Sequence, residues 1–170
     1  MSSGPHLGSG LSLSGVWIIT RMEGVRWFCQ HVWPRIRSRR PSAIFQIVGG
    51  YPVPAISRLA RAGEIEVTGF VRDVRSYVKH AAVVVVPLRV GGGGAAENFR
   101  GALAMGKPLV STTVGAEGIE AAPDRDLVIA DRPDEFADEV VSLLAQPERR
   151  RGLGDAGRRW SRANTTGNAS

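Results

Sequence analysis

Residues 83–118 read VVVVPLRVGGGGAAENFRGALAMGKPLVSTTVGAEG, and this stretch decides the fold. Ala82–Leu88 is nearly all valine with no polar alternation, so it fits a strand covered on both faces, as in a parallel sheet. The run leads into the glycine loop Gly91–Gly94. Ala95 to Met105 then has helical spacing, and a Gly106-Lys107-Pro108 turn starts a second strand, Pro108–Thr112. Strand, loop, helix and strand in this order form one βαβ unit, whose crossover places the two strands parallel.

The pattern extends outward from this unit. Upstream, Ala43–Val48 and Ile65–Phe70 are β-rich runs closed by glycine or turn residues, and Gly15–Thr20 reads as a further short strand. Val25, Phe28, Cys29, Val32 and Ile36 recur at helical spacing. Pro34 falls inside that pattern and should kink the helix or start a new turn. Pro54–Ala62 and the segment behind Asp73, with Val74, Tyr77 and Val78, read as short helices, Asp73 serving as a cap. Downstream, Leu127–Ala130 is a strand. Glu135–Ala145 aligns Phe136, Val140, Leu143 and Leu144 on one stripe, and a last helix covers Glu148–Trp160. Alternating strands and helices specify an α/β, doubly wound, Rossmann-like domain with a parallel sheet. It is expected over residues 15–160, between a disordered Ser/Gly-rich segment (1–14) and a polar tail (161–170).

Composition removes several classes of function. The chain of 170 residues is 43% hydrophobic, enough for one domain with a real core. Its longest apolar run, Ala81–Pro87, is too short to span a bilayer, and the N-terminus lacks the basic region of a signal peptide. A cytoplasmic location without a transmembrane segment is expected. Cys29 is the only cysteine, and the three histidines are scattered, so no disulfide framework or metal-ligand spacing is present. The net charge of +6 is carried largely by arginines clustered at Arg35–Arg40 and Arg149–Arg159. These are either solvated helix ends or a surface for an anionic partner: nucleic acid, a phosphorylated ligand or an acidic membrane. No aromatic interleaving or nucleic-acid motif accompanies them, so no nucleic-acid partner is expected.

In open α/β sheets, ligands bind beyond the carboxyl ends of the strands. Three loops are expected on that edge: Gly69-Phe70-Val71-Arg72, Arg89–Ala95 and Thr113–Gly118. Gly91, Gly92, Gly93 and Gly94 let the backbone approach a ligand, and the helix that follows offers free N–H groups to a phosphate. Arg89 adds a cationic contact. The loop has neither Walker nor dinucleotide spacing, and a plain flexible loop is the competing reading. No Ser-His-Asp set, Cys-His pair or metal motif is visible, so no catalytic residue is assigned and no metal is expected. Asp131, Asp134 and Glu135 read as helix-start acids, Glu97 as a residue of the helix behind the glycine loop, and Trp27, Trp33 and Trp160 as packing residues.

Taken together, residues 27–52, 65–94 and 102–121 resemble the C-terminal, donor-binding half of a GT-B glycosyltransferase. The resemblance covers about Val25 to Arg159. It is strongest to the large retaining family of sucrose synthase-like and mannosyltransferase-like enzymes, and within it to bacterial sugar transferases of polysaccharide and exopolysaccharide clusters. It implies a nucleotide-sugar as donor substrate, no further cofactor, and transfer of a glycosyl group to an acceptor hydroxyl. It places Gly69, Phe70 and Val71 near the base, Gly91–Gly94 with Ala95 at the diphosphate and sugar, and Glu117 and Gly118 in a neighbouring loop.

The chain departs from the family pattern behind the glycine loop. Aligned backward from Ala102-Leu103-Ala104-Met105, Asn98 stands at the family's lysine and Gly101 at the glutamate that grips the donor ribose. Gly93 stands where many relatives carry a further acid. A one-turn shift of the helix register would let Glu97 substitute. GT-B enzymes bind the acceptor in an N-terminal domain that has no counterpart in these residues. The resemblance therefore implies transfer only with a separate acceptor-binding domain, and a domain without that partner is expected to self-associate. A non-catalytic binding module that keeps the fold remains the alternative.

Overall fold

The computed structural model of the chain describes residues 15–18, 22–48, 54–90 and 96–166. Six strands form one parallel sheet in the order β3-β2-β1-β4-β5-β6: β1 (Gly15–Ile18), β2 (Ile44–Val48), β3 (Ile65–Gly69), β4 (Val83–Val86), β5 (Leu109–Ser111) and β6 (Val128–Ile129). The chain winds outward from β1 to β3, returns to the centre at β4, and winds the other way to β6. The α/β doubly wound expectation therefore holds. Strands β2 to β6 begin or end a residue or two inside the sequence runs, although Ala82, Pro108 and Thr112, just outside β4 and β5, still make backbone bonds to Gly15, Val84 and Val86.

The four valines of β4 show why the sheet needs both faces covered. All are 0–2% exposed. Val83 and Val85 join Phe45, Ile47, Val110 and Val128 on one face, while Val84 and Val86 join Val48, Leu109 and Leu127 on the other. Successive strand side chains point to opposite faces, so each valine feeds one of two cores. Burying each contributes about 1.5–2 kcal/mol.

The first face is covered by α1 (Met22–Trp27), a π-helical turn (Phe28–Val32), α2 (Trp33–Arg39) and α6 (Pro133–Ala145). Phe28 stacks on Phe45 with ring centroids 4.7 Å apart and meets Phe136 edge-on at 5.8 Å. The π turn answers the Pro34 problem. Proline has no N–H and its ring crowds the preceding turn. The Trp33 N–H reaches back to the Phe28 carbonyl, five residues away, and Pro34 enters the first turn of α2, where no donor is required.

The second face is covered by α5 (Ala96–Ala104) and α7 (Pro147–Thr166). Phe99, Ala102 and Leu103 of α5 are buried. α7 crosses close above the Gly106 turn: a Cβ on Gly154 would lie 2.1 Å from the Gly106 carbonyl oxygen. α7 also continues to Thr166, six residues past the Trp160 end that its sequence suggests. Two short helices, α3 (Pro54–Ser57) and α4 (Arg75–Val78), complete the connections, α3 being shorter than the expected Pro54–Ala62. Asp73 accepts a bond from the Arg75 N–H (3.0 Å) and so fixes the entry to α4.

Candidate functional site

The order of the strands creates a topological switch point between β1 and β4. Connections leave these neighbours toward opposite sides of the sheet, which opens a crevice beyond their carboxyl ends. The loops after β3, β4 and β5 all issue from that same edge, because every strand is parallel.

Arg89 stands at the mouth of this crevice, three residues beyond β4. Its guanidinium lies over the Trp27 ring of α1, 4.7 Å from the centroid, and Nη1 donates to the Asp131 carbonyl at 2.9 Å. The residue thus links the loops after β4 and β6 to the helix after β1. Beyond these two contacts the side chain is exposed.

The loop after β5 is held by a polar network. The Thr113 N–H donates to Asp131 Oδ1 (2.8 Å), and the Thr113 hydroxyl donates to Oδ2 (2.6 Å). These two bonds, helped by the nearby Arg89 charge, hold the Asp131 carboxyl below its ordinary pKa against a smaller opposing effect of burial. The buried Thr112 hydroxyl donates to the Leu88 carbonyl and accepts from the Gly115 N–H (3.0 Å). Ser111 donates to the Thr112 carbonyl at 2.8 Å. Gly115 packs against the end of β4, where a Cβ would meet the Val86 carbonyl oxygen at 2.7 Å.

The sequence-derived residues are distributed around this edge. Gly69 closes β3 with φ +68°, Phe70 is 71% exposed, and Val71 packs on the second core. Glu117 is exposed in the turn after β5, and Gly118 ends that turn at φ +79°. Gly91, Gly92, Gly93, Gly94 and Ala95 lie outside the described residues. Glu97 falls in the first turn of α5, one turn before Gly101. Gly101 is exposed, and a Cβ there would meet nothing within 4 Å.

Sequence reasoning placed Thr113 on the edge loop but missed its partner, took Thr112 only as the end of a strand, and took Asp131 as a helix-start acid. Asp131 instead fastens two loops, and the partner Thr113 is eighteen residues away. The only signal was polar residues following each of two apolar runs. Asp134 does behave as a helix-start acid, paired with Arg132 at 3.2 Å. Trp33 is buried and donates to Glu64 (3.0 Å), and Trp160 donates to the Glu120 carbonyl (2.9 Å), both as packing residues. A cavity of about 320 Å³ beside Trp33 and Leu59 lies at the opposite, amino edge of β2 and β3. Among the described residues, no group of His, Cys, Asp and Glu is arranged to hold a metal ion, and no helix is long and apolar enough to cross a membrane.

The profile of the family described as glycosyl transferases group 1 matches residues 13–146. No curated protein sequence matches the chain. Among solved structures, TarM superimposes with a TM-score of 0.74 at 12% identity, over 88% of this chain and 32% of its own. The C-terminal domain of the glycosyl transferase group 1 family protein LpcC from Francisella tularensis gives 0.71 at 15% identity, over 89% of this chain and 85% of that domain. HepE of Anabaena in complex with UDP-glucose gives 0.70 at 15% identity, over 88% of this chain and 44% of HepE. The chain therefore spans about a third of TarM and under half of HepE, but most of an isolated C-terminal domain.

Proposed function

Because the chain belongs to the glycosyl transferases group 1 family, we propose that it binds a nucleotide-sugar donor beyond the carboxyl edge of its sheet and serves glycosyl transfer to an acceptor hydroxyl. In that reaction the bond between the sugar's anomeric carbon and the diphosphate breaks, a bond to the acceptor oxygen forms, and the acceptor proton departs. The nucleoside diphosphate is the leaving group. This chain's part is to hold that diphosphate and stabilise its growing charge. Arg89 supplies a fixed cation, and the Gly91–Gly94 loop with Ala95 supplies backbone N–H groups. Gly69, Phe70 and Val71 lie near the base, and Glu117 and Gly118 lie in a neighbouring loop on the same edge. The likeness to HepE, solved with UDP-glucose, supports a donor of this class. The finer placement among bacterial transferases of polysaccharide clusters belongs to the same proposal.

The observation that carries this reading is the switch-point crevice, with Arg89 fixed between Trp27 and Asp131 at its mouth. Calorimetric titration with UDP and GDP tests it. Saturable binding that weakens in Arg89→Ala supports the reading. No heat with either ligand at millimolar concentration defeats it.

One observation favours a second reading, a binding module without chemistry. Gly101 is exposed and places no carboxylate at the ribose-gripping position. A chain that binds UDP yet neither hydrolyses nor transfers UDP-sugar, even when mixed with an acceptor-binding domain of a relative, would fit this alternative.

A further inference from the structure

The tertiary structure brings together two arginine runs that lie more than a hundred residues apart. Arg35–Arg40 ends α2, and Arg149–Arg151 opens α7; both helices pack on α6. The outer members find acids on α6: Arg39 pairs with Asp138, and Arg149 with Glu139 (2.7 Å). The inner members do not. Among the described residues, no carboxylate lies within ion-pair distance of Arg40, Arg150 or Arg151. Glu148, exposed in the first turn of α7, pairs with none of them.

Beside these cations is a cavity of about 290 Å³, lined by Ala81, Lys107, Pro147, Arg150 and Arg151 among others. Ala81 precedes β4 and Lys107 precedes β5, so the cavity opens on the amino edge of the sheet, opposite the switch-point crevice. Arg150 is 8% exposed. Its Nη1 donates to the Leu143 and Leu144 carbonyls, both at 2.7 Å, closing the end of α6. Its Nε and Nη2 make no hydrogen bond among the described residues. Lys107 uses two ammonium hydrogens on the Lys79 and Ala81 carbonyls (2.8 and 3.1 Å) and keeps one. The cluster is therefore built with donors left over and, among the described residues, with no carboxylate paired to it.

We infer that this amino-edge cavity is a second anion site, which takes a phosphate group on Arg150, Arg151 and Lys107 with Arg40 adding to the field. Burial, then repulsion from Arg151 and Arg40, lowers the Arg150 pKa, so an entering anion would relieve a strain that the fold otherwise tolerates. A guanidinium pair suits a phosphate oxyanion through two parallel N–H bonds. The site is independent of the donor reading, since it lies on the other edge of the sheet.

Titration of inorganic phosphate into the full chain, at constant ionic strength and with UDP held at saturation, tests the inference by amide NMR. Saturable shifts are expected at Ala82, Lys107 and Arg151. The double variant Arg40→Ala/Arg151→Ala should weaken them about tenfold while its circular dichroism stays unchanged. Lys107 and Arg150 are left intact because each also satisfies carbonyls of the fold. Shifts absent from these amides, shifts reproduced by chloride, or shifts unaltered in the double variant would overturn the site. Sedimentation with phosphatidylcholine vesicles, with and without phosphatidic acid, identifies the source of the phosphate. Binding that free phosphate competes away assigns a lipid headgroup, and phosphate binding without vesicle binding assigns a free ligand. Vesicle binding that persists in the double variant counts against the cavity.

Discussion

The Arg89 guanidinium lies 4.7 Å from the centroid of the Trp27 ring. This contact joins the loop after β4 to the helix after β1, across the point where the sheet reverses its winding. Arg89→Ala loses the stacking and the bond to the Asp131 carbonyl together. It should lower the unfolding free energy by about 1 kcal/mol and weaken UDP binding several-fold. Arg89→Lys should keep part of the affinity but lose the planar stacking. Urea midpoints and calorimetry read both effects; unchanged midpoints would show that the contact contributes nothing.

Gly101 is a position where a larger side chain should help. Space around it is open, and glycine in a helix interior costs about 1 kcal/mol relative to alanine. Gly101→Ala is expected to raise the thermal midpoint without changing UDP affinity. Gly101→Glu should stabilise the helix less and tighten UDP binding about tenfold, the scale of a charge-assisted bond. Equal affinity in the two variants would remove the ribose role from this position.

Gly115 presents the opposite case. A Cβ there would meet Ser111 Oγ at 2.6 Å and the Val86 carbonyl oxygen at 2.7 Å. The hydroxyl can rotate, but the carbonyl is part of the β4 ladder. Gly115→Ala should therefore destabilise the fold by about 2–3 kcal/mol, seen as a lower urea midpoint with an unchanged slope. A midpoint equal to that of the parent chain would mean the turn can yield.

Acid should weaken the fold through two carboxylates. Asp126 is 3% exposed; burial pushes its pKa up, but the hydrogen bond from Arg125, the Ala122 N–H and the Arg125 and Arg159 charges bring it below its ordinary value. Asp131 is lowered by its two bonds from Thr113. A carboxylate whose folded pKa lies below the unfolded value, about 3.9, stabilises fully above that value. Its contribution is lost as pH falls through the folded pKa. Urea midpoints should thus fall progressively below about pH 4, and the fall should be shallower in Asp126→Asn, which starts from a lower midpoint near neutral pH.

The strands and helices were legible because their signals are local. Four adjacent valines at 0–2% exposure have no polar member to turn outward, so their burial on both faces could be read directly. Helix ends were less legible. α7 runs on to Thr166 because its packing, on the Gly106 turn through Gly154 and on α5 through Gly157, is tertiary, and nothing in the polar segment after Trp160 signals it. The π turn at Phe28–Val32 had a visible cause in Pro34, although the sequence allowed a kink equally well.

The sequence alone determined an α/β chain of parallel strands, a glycine loop after its most apolar strand, and glycine at position 101. Each follows from periodicity, turn chemistry or residue identity within a few positions. Only the tertiary structure decided the strand order that opens the crevice between β1 and β4, the stacking of Arg89 on Trp27, the fastening of Thr113 to Asp131, and the packing of the arginine-bearing helices α2 and α7 on the same helix α6. These relationships join residues far apart along the chain. Local preferences cannot choose between such partners; the choice is made when two faces of one sheet must be buried at once.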